Sequence, residues 1–167
     1  MRIELAAPTA EDTRAIGGAL ASLLRAGDVV ALTGELGAGK TTLVQGVANA
    51  LDYSGAVASP TFTLVREYRT PSLRIVHADV YRLDRVQEVL DLGLPELVEG
   101  DGVLLVEWGD AVAEVLPGEP LVVELVVPGD GAGNGEERAI SIRGGGGSWA
   151  SRWERLEQVL DRWSVGA

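Results

Sequence analysis

The sequence has no cysteine, one histidine and, among fourteen lysine and arginine side chains, a single lysine. Without cysteine there can be no disulfide, zinc–thiolate site or thiol chemistry. Acidic residues outnumber basic ones, giving a net charge of −11. So acidic a chain is a poor non-specific ligand for nucleic acid, which requires many Lys/Arg–phosphate contacts. No apolar run approaches the roughly 18 residues of a membrane span. The opening Met1-Arg2-Ile3-Glu4-Leu5 is too short and too charged for a secretory leader. These absences set the expectation of a cytoplasmic protein with no membrane attachment. The only asparagines, Asn49 and Asn134, do not form the N-K-x-D signature that reads guanine. There is also no second glycine signature of a cassette ATPase, and no arginine-rich lid of the kind a small-molecule kinase needs.

What is present centres on that lone lysine. Gly34-Glu35-Leu36-Gly37-Ala38-Gly39-Lys40-Thr41 matches G-x-x-x-x-G-K-[ST] without a mismatch. In such a loop glycines let successive N–H groups point at phosphate oxygens, Lys40 supplies a compact charge, and the Thr41 hydroxyl can ligate Mg²⁺. The context fits. An apolar run, Asp28–Thr33, precedes the loop, and apolar residues at helical spacing, from Leu43 to Leu51, follow it. A chain that otherwise uses arginine has kept lysine where a point charge is required. The missing guanine motif favours ATP over GTP.

Local patterns give the rest of an α/β fold. Arg2–Leu5 alternates like a short edge strand, and Thr9-Ala10-Glu11-Asp12 reads as an N-cap with acids in the first turn of a helix ending near Gly27. Leu64–Tyr68 and Leu73–Asp79 form a hairpin across Arg69–Ser72. Helices are expected over Arg85–Leu92, from Leu94, and over Ala111–Val115. Val103–Val106 is apolar without alternation, as in a strand covered on both faces. Leu121–Val127 and Arg138–Arg143 make a second hairpin, expected at the sheet edge. At 167 residues and 46% hydrophobic, one globular domain is expected. Residues 1–143 form its P-loop unit. Residues 144–167 form a glycine joint and an amphipathic helix, capped by Ser148, with Trp149, Trp153, Leu156, Val159, Leu160 and Trp163 on one side. That side either packs on the sheet or docks a partner. The fold class is therefore a P-loop NTPase with a mixed, mostly parallel sheet, flanking helices and antiparallel hairpins at its edges.

Ligands of open α/β sheets sit beyond the carboxyl ends of the strands, and two acids lie there. Glu107 follows the apolar run and can hold Mg²⁺ or orient water. Asp79 ends the second hairpin strand and is a further metal candidate, or a helix cap or ion-pair partner of Arg82. His77 is a catalyst or a hydrogen-bonded core histidine, and Ser59-Pro60-Thr61 is a γ-phosphate-sensing loop or an ordinary turn. Lys40, Asp79 and Glu107 are thus the candidate catalytic set. ATP hydrolysis, nucleotide-gated binding and phosphoryl transfer to a substrate all remain open on the residues alone.

Five stretches together resemble the TsaE (formerly YjeE) family of bacterial tRNA threonylcarbamoyladenosine biosynthesis proteins. They are the loop to Leu43; Ser59–Val65 with Tyr68; His77–Leu83; Leu92-Gly93-Leu94; and Val106-Glu107-Trp108. Gly109 stands where that family often has proline, and Glu35 where it often has aspartate. The resemblance implies ATP held by Gly37, Ala38, Gly39, Lys40, Thr41 and Thr42, with Trp108 beside the nucleotide. It implies Mg²⁺ on Thr41 and Glu107, with Asp79 close by, and adenine near Thr9–Glu11. It further implies weak ATPase activity supporting a TsaB–TsaD complex that modifies tRNAs reading codons that start with A. The tRNA is then held by the partners.

Overall fold

A computed structural model describes residues 1–35, 37–60, 65–80, 90–107, 116, 118–129, 135–144 and 146–166. The strand before the phosphate loop, β2 (Val29–Thr33), is buried along its whole length. Val30 and Leu32 face one core cluster; Val29 and Ala31 face the other. A strand covered on both faces needs apolar side chains at every position, which is why its sequence does not alternate. β5 (Gly102–Glu107) is likewise buried throughout and pairs with β2 in parallel.

The remaining strands are β1 (Arg2–Ala7), β3 (Val65–Arg69), β4 (Arg74–Asp79), β6 (Leu121–Val126) and β7 (Arg138–Arg143). They form one mixed sheet in the order β1-β7-β6-β2-β5-β4-β3. The central pairings β6–β2, β2–β5 and β5–β4 are parallel, and the outer ones antiparallel. The hairpin β6–β7 is not at the margin as expected. β1 pairs along β7 and takes the edge itself. β7 alternates, with both its faces partly covered, and sequence pattern alone does not tell an edge strand from its neighbour.

Helix α1 (Ala10–Ala21) opens with a capping box in which the Thr9 side chain accepts from the Asp12 N–H and Asp12 accepts from the Thr9 N–H. The helix stops at Ala21, short of the expected Gly27, where the Ser22 hydroxyl donates to the Ala19 carbonyl at 2.6 Å. α2 (Lys40–Ala50) follows the phosphate loop and packs tightly on α1. A Cβ on Gly46 would lie 1.9 Å from the Arg14 carbonyl oxygen, so only glycine permits this helix approach. α3 is the short turn Leu94–Leu97. The helices expected at 85–92 and 111–115 lie largely outside the described residues.

The C-terminal segment begins as a 3₁₀ turn (Gly147–Arg152) before α4 (Trp153–Leu160). Ser148 therefore does not cap an α-helix. Its carbonyl and hydroxyl are instead taken by the Arg152 guanidinium. Arg152 also forms a buried bidentate pair with Asp28, at 2.6 and 2.8 Å, just ahead of β2. Trp149, Trp153, Leu156, Leu160 and Trp163 join the cluster that also contains Leu5, Ile16 and Leu20. Beyond α4, Ser164 bridges to Leu5, and the Val165 N–H donates to Glu4.

Candidate active site

The phosphate loop lies at the carboxyl end of β2. Gly34 has φ 138° and Gly39 has φ 103°, both in the region that favours glycine. A Cβ on Gly34 would also lie 2.4 Å from the Leu125 carbonyl oxygen. The loop therefore closes against β6 only with glycine at this point. Lys40 is buried, and its ammonium donates to the carbonyls of Gly34 at 2.7 Å and Glu35 at 2.9 Å. The side chain thus arches back along the loop. Gly39 caps α2 without a side-chain hydrogen bond, which leaves the first turn of a helix open to an anion.

Parallel register brings the two acids together. Asp79 on β4 is paired with Glu107 on β5, each the last residue of its strand. The Thr41 hydroxyl, on the first turn of α2, lies 3.2 and 3.3 Å from the two Glu107 carboxylate oxygens. The Ser59 hydroxyl donates to Asp79 at 3.0 Å. Gly37, Gly39, Lys40, Thr41, Thr42, Ser59, Asp79 and Glu107 line a single cavity of about 240 Å³. Ala38 sits beside it in the loop, with its side chain buried. A larger cavity, about 420 Å³, lies between the loop and the end of β6, but it lacks Lys40 and the paired acids.

His77 is fully buried and contacts Glu107 through Nε2, while its Nδ1 lies 3.0 Å from the Tyr68 hydroxyl. It is thus at once a core histidine and a neighbour of a site carboxylate. Tyr68 also donates to the Ala58 carbonyl at 3.2 Å. Burial pushes the Tyr68 phenol up, so it stays an O–H across the physiological range.

Arg138 is the site residue that sequence reasoning missed. From the start of β7 it donates to the carbonyls of Ala38 at 2.8 Å and Gly37 at 3.2 Å, and it lines the same cavity. No spacing rule links it to the loop a hundred positions earlier. The only local signal was an arginine placed at a strand start after a glycine-rich turn. Trp108, Thr61 and Arg82 lie outside the described residues.

Among the described residues no three His, Asp or Glu side chains form a ready metal cluster. A hydroxyl and a carboxylate close together still suit Mg²⁺, which prefers oxygen donors and is commonly bound through one or two carboxylates plus substrate phosphates and water. The donor set fits that ion.

A family model, Threonylcarbamoyl adenosine biosynthesis protein TsaE, matches residues 7–134. The chain belongs to the TsaE family. The tRNA threonylcarbamoyladenosine biosynthesis protein TsaE of Bacillus subtilis is 41% identical over 152 residues, spanning 91% of this chain and 89% of that one. The protein of the same name from Streptomyces coelicolor is 44% identical over 144 residues, covering 83% of this chain and 94% of its own length. Among solved structures, Bacillus subtilis YdiB superposes with a TM-score of 0.76 at 36% identity, over 97% of this chain and 95% of that one. A TsaE-family chain with this sheet accordingly has the P-loop fold that its loop motif required. No helix among the described residues is long and apolar enough to cross a membrane.

Proposed function

We propose that this TsaE-family protein binds Mg²⁺–ATP and hydrolyses it slowly in support of tRNA threonylcarbamoyladenosine biosynthesis, acting with TsaB and TsaD. The observation that carries the reading is the meeting of Thr41 and Glu107, 3.2 Å apart, in the cavity that also holds Lys40. Those are the hydroxyl, carboxylate and ammonium that a P-loop ATPase needs. The names of the relatives supply the process.

Gly37, Ala38, Gly39, Lys40, Thr41 and Thr42 hold the phosphates through backbone N–H groups, the helix N-terminus and the lysine charge. Thr41 and Glu107 hold Mg²⁺, with Asp79 as the adjacent carboxylate that adds an oxygen or orients water. Mg²⁺, when bound, neutralises charge on the β- and γ-phosphate oxygens. Lys40 and Arg138 supply the remaining positive charge. The family resemblance assigns Trp108, the residue after Glu107 in sequence, to the nucleotide. The acidic composition fits a subunit that leaves tRNA binding to its partners. The site of action is the cytoplasm.

The test is ATP turnover with and without the TsaB–TsaD pair, for wild type and Glu107→Ala. Wild-type turnover that rises with the partners and is lost in the variant supports the reading. Equal turnover of both proteins under both conditions overturns it.

A further inference from the structure

Glu107 does not stand alone at the end of β5. Cross-strand pairing places Tyr68 opposite Ile75, and His77 lies two residues further along β4 on the same face. This diagonal is within reach of an aromatic ring and an imidazole, and Tyr68 and His77 meet there at 3.0 Å. Parallel pairing then sets β4 beside β5, so the other imidazole nitrogen reaches Glu107. Tyr68, His77 and Glu107 are all nearly or wholly buried. Buried polar groups persist where each has a partner, and here every one does.

We propose that His77 and Tyr68 are positioning residues that fix the Glu107 carboxylate towards Thr41 and, through the Ala58 carbonyl, hold the segment carrying Ser59 against Asp79. This role rests on the proposed ATPase reading. A glutamate side chain has three rotatable bonds. A carboxylate that must meet a small, geometrically demanding ion gains from being held by a second residue before the ion arrives. The Thr41 hydroxyl lies against both Glu107 oxygens, and His77 holds Oε2. The Tyr68 hydroxyl is the branch point. It contacts His77 and donates to Ala58, whose neighbour Ser59 donates to Asp79. One phenol thereby supports both acids of the cavity. Tyr68 and His77 touch neither nucleotide nor metal in this scheme and act only through Glu107 and the 58–59 segment.

The experiment compares full-length wild type, His77→Leu, His77→Gln and Tyr68→Phe, with Glu107→Gln added for the spectra. Nucleotide affinity is measured by calorimetry in EDTA and across a Mg²⁺ titration, together with kcat and KM. Ring ¹⁵N spectra give a readout independent of turnover, because His77 is the sole histidine and its two nitrogens need no sorting from others. Expected are a rise of about 10- to 100-fold in the Mg²⁺ concentration for half-maximal effect in His77→Leu and a smaller rise in Tyr68→Phe. Metal-free affinity should stay within about two-fold of wild type, and His77→Gln, which keeps a donor for Glu107, should recover most of the loss. The ¹⁵N signals should shift at Nδ1 in Tyr68→Phe and at Nε2 in Glu107→Gln. If His77→Leu does not fold, Tyr68→Phe decides alone, since it removes one oxygen and keeps the ring. Folded variants with wild-type Mg²⁺ dependence, or equal loss of affinity with and without metal, overturn the positioning role while leaving the ATPase reading intact. Wild-type protein that binds no Mg²⁺–ATP overturns both.

Discussion

The guanidinium of Arg138 donates to the Ala38 carbonyl at 2.8 Å, so the first residue of β7 grips the phosphate loop from the side. A second nitrogen reaches Gly37 at 3.2 Å. These bonds fix two peptide planes of the loop and leave a cation at the cavity wall. Arg138→Ala removes both bonds, which act on the loop rather than on the nucleotide, and should weaken ATP binding about ten-fold, the scale of a single charge-assisted hydrogen bond. Calorimetry at fixed Mg²⁺ checks it; unchanged affinity would show that the loop needs no such grip. Arg138→Lys should recover less than half of the loss, because a flexible stem ending in a point charge does not reproduce the fixed fork that Nε and Nη2 present to Ala38 and Gly37.

Lys40 is the only lysine, and its ammonium also stabilises the loop through Gly34 and Glu35. Lys40→Ala should abolish turnover and lower ATP affinity by at least about 100-fold, the scale of two charge-assisted hydrogen bonds. Lys40→Arg should not rescue it. Wild-type affinity in Lys40→Ala would sink the assignment of Gly34–Thr41 as the phosphate site.

The pair Arg152–Asp28 is buried on both sides and joins the C-terminal segment to the start of β2. Removing one partner leaves a charge without compensation. Arg152→Ala should cost about 3–5 kcal/mol of stability, read as a lower urea midpoint. Deleting 148–167 should be worse, since it also strips Trp149, Trp153, Leu156 and Leu160 from the core. A deletion with wild-type stability but lost TsaB–TsaD binding would instead give the segment a docking role.

Asp12 carries a pH signature. The Trp163 indole N–H donates to it at 3.0 Å, and Thr9 donates from both hydroxyl and backbone. These bonds, the indole foremost, hold its carboxyl below the ordinary value of 3.8. A lowered folded value means that folding favours the ionised form. Its contribution is complete above the unfolded value and disappears as pH falls through the folded one. Trp163→Phe should therefore reduce stability at neutral pH and flatten the decline below about pH 4. Urea unfolding from pH 6 to pH 3 reads both, and parallel curves for the two proteins would remove Asp12 as the cause.

Much of this molecule is legible in its residues because the decisive signals are local. Lys40 and Thr41 follow from a contiguous motif, the Thr9 cap from four residues, and β2 and β5 from unbroken apolar runs. Glu107 and Asp79 were found because strand ends in parallel sheets face ligands. What escaped depends on distance along the chain. Arg138 reaches the loop only through the β6–β7 pairing, and β1 displaces the hairpin from the edge by pairing with a strand near the other end. His77 gave two readings that the sheet shows to be compatible, since it is buried and touches Glu107. The tryptophan face was ambiguous because an apolar stripe does not name what covers it; the sheet and α1 do.

Arg2 pairs with Arg143, and Ala7 with Arg138, so the first strand waits for the seventh. During synthesis β1 emerges from the ribosome before any partner exists for it. Its ladder can close only once β7 is available, and the Leu5–Ser164 bridge only once Ser164 has been made. The local units, α1 on α2 and the β3–β4 hairpin, can form early; closing the β1 side carries the long loop-closure cost and comes late. Slow or truncated synthesis would thus strand β1 as an unpaired edge, the species of this chain most exposed to misassociation.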